Sequence, residues 1–465
     1  MKFFEALANV FRIPDLRKRV LFTLAILAIY RLGGHIPTPG INMLRWQDFF
    51  SRNQGSIFGF FDLFAGGNIR RLTIFALGIM PYITASIILQ LLTVVIPTLE
   101  KLQKEGELGR RKITQWTRYL TVALALAQSF GIATGLQAMQ GNIVINPGFG
   151  FILMTMLSLT TGSAFIMWLG EQITDRGIGN GMSLIIFAGI VVGLPNAIAN
   201  IYTNVFVTRQ WSPLQLILIL VMMIAVVAFI VLVERGERRI PVQYAKRVVG
   251  RRVMGGQSTH MPLKVNAGGV IPVIFASSIL AFPQTLSGLP FVKSSKWLSS
   301  MLGSIQHGEP LYVVLFVVGI VFFCFFYVSI IFNPNEAADN MRKYGGFIPG
   351  IRPGRYTAEY MNTILTKITV VGGIYLSILC LIPDIMISGI HLQHLPLVGN
   401  FIDTYFPRFL LEGLNVQFYF GGTSLLIVVG VAMDTVNQVE AQLIMRHYEG
   451  FTPRAGRIRG RRTTF

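Results

Sequence analysis

Apolar residues fall into ten runs along the chain, at about 20–37, 72–97, 117–137, 148–170, 181–201, 214–234, 266–286, 311–332, 366–388 and 416–436. Each approaches the roughly 20 residues a helix needs to cross a bilayer core. Lipid leaves a spanning backbone no outside hydrogen-bond partner, and these runs are too long for barrel strands, so they predict membrane-spanning helices. The second run contains LGIMPYITASIILQ, residues 77–90. Ile79, Ile83, Ser86 and Gln90 follow at steps of 4, 3 and 4, which places them on one helical face. A helix that met only lipid would have no use for Pro81, Thr84, Ser86 and Gln90 there.

Between the first two runs lies SIFGFFDLFAGGNIRR, residues 56–71. Ile57 to Phe64 is too short to cross and reads as a re-entrant or interfacial half-helix. Asp62 and the Gly66-Gly67 pair argue against simple lipid burial. An internal repeat relates GIMPYITAS (78–86) to GVIPVIFAS (269–277), identical at five of nine positions. The copies sit in the second and seventh runs, five spans apart, and so would cross in opposite directions, as in an inverted repeat of five helices plus five. Two long polar loops, 235–265 and 333–365, carry Arg, Gly and Pro. The first alternates apolar and basic residues, and a β-hairpin is expected around Gly255-Gly256.

Composition agrees with this pattern: 52% of the 465 residues are hydrophobic and 13% charged, with a mean hydropathy of +0.58. The net charge is +19, and its placement is informative. With the N-terminus inside, inside segments hold 31 of the 40 Lys and Arg residues. That bias predicts cytoplasmic termini. Half of the eight outside ones, Arg45, Arg52, Arg70 and Arg71, lie in the loop before the second span. The N-terminal basic stretch and first run have no small-residue cleavage site and read as an uncleaved span. Cys324 and Cys380 fall inside spans, so no disulfide framework is expected.

No P-loop, HExxH or Ser-His-carboxylate set is present. The glycines of 177–181 lack a preceding strand and read as a bend. His391 and His394 have no convincing third ligand. Hence no catalysis, no metal and no cofactor are expected, and energy would come from a partner. Charges within spans are few: Arg31, Asp384 and Asp434 lie near span ends. The inverted repeat keeps a secondary transporter of a small solute open as an alternative, and the basic loops a scaffold. The expected organisation is an N-terminus over 1–19, a first five-helix half over 20–201, a hinge over 202–213, a second half over 214–436 and a basic tail over 437–465.

Seven strings carry a resemblance: GIMPYITASIILQLLTVV, EGELGRRKITQWTRY, DRGIGNGMSLIIFAGIV, VERGERRIPVQYAKR, QSTHMPLKVNAGGVIPVIFASSILAFP, PGIRPG and FYFGGTSLLIVV. Together they resemble the SecY family, channel subunits of the bacterial protein translocon, over nearly the whole chain. Departures are confined to 287–310, 389–414 and the tail. The resemblance implies an all-α polytopic membrane protein in which ten transmembrane helices, as two inverted halves, form an hourglass channel. It implies a pore ring of Ile79, Ile83, Ile186, Ile190, Ile274 and Ile427, and a plug over 58–67 with Phe60, Phe61, Asp62, Leu63 and Phe64. A lateral gate would run between the second-third and seventh-eighth spans, with Ser86, Gln90, Gln128, Ser277, Ser278 and Phe282. Arg239, Lys246, Arg247, Arg251, Arg252 and Arg352 would dock a motor or the ribosome. Implied partners are SecE and SecG, the SecA ATPase, the ribosome, signal-bearing preproteins and nascent membrane proteins, anionic lipids, SecDF and YidC. The implied location is the bacterial plasma membrane.

Overall fold

The computed structural model describes residues 13–52, 62, 65–138, 143–208, 213–244, 247–249, 252–254, 258–286, 296–305, 309–388 and 422–449. All ten apolar runs hold helix. The first half contains α1 (Pro14–Gly33), α2 (Met43–Arg52), α3 (Met80–Val95), α4 (Pro97–Lys104), α5 (Glu107–Ala138), α6 (Phe149–Arg176), α7 (Gly181–Val192) and α8 (Leu194–Tyr202). A π turn at Thr203–Val207 follows. The second half contains α9 (Pro213–Glu234), α10 (Ile271–Leu286), α11 (Lys296–Ser304), α12 (Pro310–Ile331), α13 (Pro334–Lys343), α14 (Arg355–Ser388) and α15 (Gly422–Glu449). Among the described residues five helices are singly long and apolar enough to cross a membrane, and the α3–α4 pair, bent by 101°, makes a sixth. The shorter α7 and parts of α9 and α10 are apolar throughout. Large apolar side chains such as Leu24, Leu157, Ile224 and Val318 are exposed on the outer surface, where lipid replaces water as solvent.

Packing repeats between the halves. In the first, α3 meets α5, α5 meets α6, α6 meets α7, and α1 meets α7. In the second, α10 meets α12, α12 meets α14, α14 meets α15, and α9 meets α15. The halves join through α3 with α10 and α7 with α15, the pairs that a two-fold relation maps onto themselves, and through α5 with α10. The repeat extends to the backbone. Gly78 and Gly269 adopt φ of 58° and 59°, a conformation that glycine reaches without a Cβ penalty. In both copies the helix begins two residues later, with a proline in its first turn.

That geometry shortens two expected spans. The second run is not helical from residue 72: residues 69–79 form turns apart from a bridge of Thr73 to Pro37, and helix begins at Met80. In the seventh, helix begins at Ile271. A glycine at positive φ ends the preceding turn before the proline can start the helix.

The loops carry a sheet of order β4–β1–β5, from β1 (Glu237–Tyr244), β4 (Ser258–Lys264) and β5 (Gly346–Phe347). β2 (Arg247–Val249) pairs antiparallel with β3 (Arg252–Met254), Val249 opposite Arg252. The expected turn at Gly255-Gly256 lies outside the described residues, and the described pairing closes on Val249 and Arg252.

Candidate functional site

The waist of the bundle is apolar. Ile79, Ile83, Ile186, Ile190, Ile274 and Ile427 belong to one buried cluster, each between 0% and 6% exposed. They come from α3 and its N-cap, α7, α10 and α15, the elements through which the halves meet. Isoleucine is bulky, stiff at χ1 and offers no donor or acceptor.

Beside the waist sits the base of the expected plug. Phe60, Phe61, Leu63 and Phe64 lie outside the described residues; Asp62 is described. Its Oδ1 accepts from the N–H groups of Ile69 and Arg70, each at 2.9 Å. Its carbonyl accepts from Gly67 N–H at 2.9 Å. Gly66, at φ 70°, lies so close to α7 that an added Cβ would come within 2.8 Å of Gly189 Cα. Gly189 directly precedes Ile190, so the base of the expected plug rests on α7. Arg31 Nη1 donates to Gly66 O at 3.2 Å, and Asn68 Nδ2 donates to Ala65 O at 2.6 Å. Tyr30 Oη donates to Ala65 O at 3.4 Å. Sequence reasoning placed Arg31 near the outer end of a span but missed Tyr30 and Asn68 as anchors. The signal was the basic residue itself, since an intramembrane cation needs an acceptor.

On the same side, α2 was not expected from the hydrophobic runs. It buries Trp46 and Phe50 with Ile41, Leu72, Ile143 and Val144, and Trp46 Nε1 donates to Ile69 O at 2.9 Å. Its signal was the aromatic spacing Trp46, Phe49, Phe50. This collar holds the chain at Ile69, just beyond Asn68.

The expected gate seam is the contact of α3 and α5 with α10. Among the described residues, its polar side chains make no hydrogen bond across it. Ser277 and Ser278 Oγ both donate to Ile274 O, at 3.0 and 2.6 Å. Gln90 Nε2 donates to Ser86 Oγ at 3.3 Å within α3, and Gln90 Oε1 is buried without a partner. Hydroxyls back-bond to the carbonyl one turn earlier when no better acceptor is in reach. Gln128 is buried in α5. Phe282 lies in α10, and its side chain lies outside the described residues.

Of the expected docking residues, Arg239 is exposed on β1 and Arg352 in the loop after β5. In the β2–β3 register Arg247 stands opposite Met254 and Arg252 opposite Val249, and Lys246 and Arg251 lie outside the described residues. Pairing of Gln243 with Phe347 and Tyr244 with Gly346 ties the two long loops together. Ile240, Leu263, Ile348, Met361 and Leu365 form a cluster that roots them on α14.

A model of the SecY family matches residues 73–436. The chain is 50% identical over 446 residues to the protein translocase subunit SecY of Escherichia coli (strain K12), covering 95% of each. It is 48% identical over 458 residues to the protein of the same name from Streptomyces galbus, covering 96% of this chain and 99% of that one. Among solved structures it resembles one described as a protein conducting channel, with TM-score 0.60 and 16% identity over 96% of this chain and 99% of that one. It also resembles Sec61 in a canine ribosome–channel complex from the endoplasmic reticulum, with TM-score 0.55, 16% identity and the same coverage. At that identity the structures speak for the fold.

Proposed function

The chain belongs to the SecY family, and we infer from that premise and from the closed apolar waist that it is a protein-conducting channel. It passes unfolded, signal-bearing polypeptides across a membrane and releases apolar segments sideways into lipid. An unfolded chain cannot cross hydrocarbon, because each unpaired peptide group costs several kcal/mol there. It needs a wet path, yet an open wet path leaks ions. A narrow apolar constriction reconciles the two demands, because it dewets when empty. The carrying observation is that six isoleucines from both halves lie in one buried cluster.

In this reading the segment based at Asp62–Asn68 is a second seal, seated on α7. The seam between α3–α5 and α10–α12 is the sideways exit. Apolar segments gain roughly 0.8 kcal/mol per buried CH₂ on reaching lipid, so a seam closed by apolar contact and few polar bonds yields to them. The protein works in the bacterial plasma membrane with both termini in the cytoplasm. SecE and SecG accompany it, and SecA or the ribosome docks on the basic loops and drives transport. SecDF, YidC and anionic lipids complete its expected surroundings.

The test is ion leak. Vesicles holding the channel with I83N and I186N together should leak ions faster than wild-type vesicles, since amides rewet the waist. An unchanged leak would sink the assignment of the ring.

A further inference from the structure

At the end of the waist that carries the long loops, the two halves leave a cleft of about 220 Å³. Ser183 of α7, Glu234 of α9, Lys264 and Asn266 before α10, Tyr327 of α12 and Asp434 of α15 all line it. Glu234 Oε1 accepts from Asn266 Nδ2 at 2.6 Å, and Asn266 also donates to Gly269 O at 3.1 Å. One carboxylate is thus fixed at the mouth of α10. The other, Asp434, has Lys264 Nζ 3.9 Å from its Oδ1, and both side chains are about half exposed, at 48% for Lys264 and 54% for Asp434. That distance is the outer limit of an ion pair, and exposed pairs of this kind are weak. Lys264 therefore demonstrates that a lysine ammonium reaches Asp434, while leaving that carboxylate available for exchange. The two acids stand out because the loops around them are strongly basic, with eight Lys and Arg in 235–265 alone.

A signal-bearing substrate brings a matching group. Its cationic n-region precedes an apolar stretch of about 7–15 residues. The apolar stretch belongs at the seam, where Ser277 lies six residues beyond Ile271 at the cleft. At a rise of about 1.5 Å per residue that separation is roughly 9 Å. About three extended residues cover it, which is the scale of an n-region. Resting on the channel reading above, we propose that this cleft is the subsite for the cationic n-region. Glu234 and Asp434 receive its Lys or Arg side chains, and Lys264 is the resident cation they displace.

The experiment uses the full channel with its partner subunits and motor in vesicles, and two preproteins. One has a signal with a lysine-bearing n-region; the other has an uncharged n-region and a lengthened apolar stretch. D434N should slow the first about fivefold, the size of one partly exposed ion pair, and leave the second within about twofold. K264Q, which frees Asp434, should instead speed the charged substrate. A photocrosslinker at position 183 should capture the n-region of an arrested charged substrate. Should D434N fail to assemble, E234Q is read in the same way. Equal slowing of both preproteins, no slowing of either, or slowing by K264Q would overturn the proposal. Wild-type vesicles that transport neither preprotein would overturn the channel reading instead.

Discussion

Asp62 sits under opposing influences. Two backbone N–H groups and the nearby Arg70 and Arg71 favour its carboxylate, while burial opposes it. Burial wins, and the group's pKa is pushed up to about 6 from an ordinary value of 3.8. A raised carboxylate pKa means that the seated form holds its proton more tightly than a solvated one. Its contribution to seating is then fully present below the solvated value and is lost as pH rises through about 6. Spontaneous conductance of the resting channel in planar bilayers should therefore rise when the plug side is taken from about pH 4 to about pH 7, a window that brackets the rise through about 6. D62N keeps an acceptor oxygen without a charge, so its conductance should stay low and flat over that range. D62A removes the acceptor of the part-buried Ile69 N–H and of the exposed Arg70 N–H, at about 1 kcal/mol, the net contribution of a typical hydrogen bond, and should conduct more at every pH. A flat wild-type profile would refute the role. This residue also marks the limit of the sequence: its departure from lipid-facing chemistry was readable, but its partners were not. Nothing in the local pattern said that the two N–H groups of residues 69 and 70 would turn back onto it.

At the scale of elements, every apolar run held helix, because lipid leaves a spanning segment few alternatives, whereas α2, α11, α13 and, beyond Pro97, α4 lie outside the runs. Where the helices begin was less legible. Residues 72–79 are as apolar as the helix that follows, and only the conformation of Gly78 separates them. The repeat supplied what composition could not: the same Gly-x-x-Pro order stands before α10, and the backbone repeats at φ 58° and 59°. G78A and G269A force a Cβ into that left-handed conformation, at about 1–2 kcal/mol each. An added Cβ at Gly269 meets nothing within 4 Å, and at Gly78 its nearest neighbour is Ala65 Cα at 3.5 Å. Both substitutions should therefore destabilise to a similar degree, lowering the thermal midpoint in detergent alike. A loss at one site only would show that the two turns are not mechanically equivalent. The gate hydroxyls illustrate the opposite case. Ser277 and Ser278 were read as seam contacts, but a serine carries no signal of whether it prefers the neighbour or its own helix, and here the carbonyl of Ile274 lies nearer.

Across the whole molecule, the charge bias and the sheet act together. The sequence marked two basic loops; it did not show that they form one body, because the pairing of Gln243–Tyr244 with Gly346–Phe347 spans about a hundred residues. That pairing leaves Arg239 and Arg352 exposed on a single rigid mount above α14. A partner of opposite charge meets such a mount without first ordering it. Arg352 lies between Gly350 and Gly354, both at positive φ, and its carbonyl accepts from Thr357 Oγ1 at 3.0 Å, so the loop's path is set by its backbone. R352E should therefore leave folding nearly unchanged, within the ±0.5 kcal/mol or so of ordinary surface substitutions, and leave resting ion leak as in wild type. Transport driven by the motor or the ribosome should fall by about tenfold, the effect of 1.4 kcal/mol of lost docking. Salt gives an independent check, since exposed charges are screened over a Debye length of about 10 Å at 0.1 M. Wild-type transport should weaken as salt rises, and the R352E variant should show a flatter dependence because its attractive contact is already gone. Full activity of R352E with both partners would refute the docking role. A normal salt slope with reduced activity would instead place the defect in a step after docking.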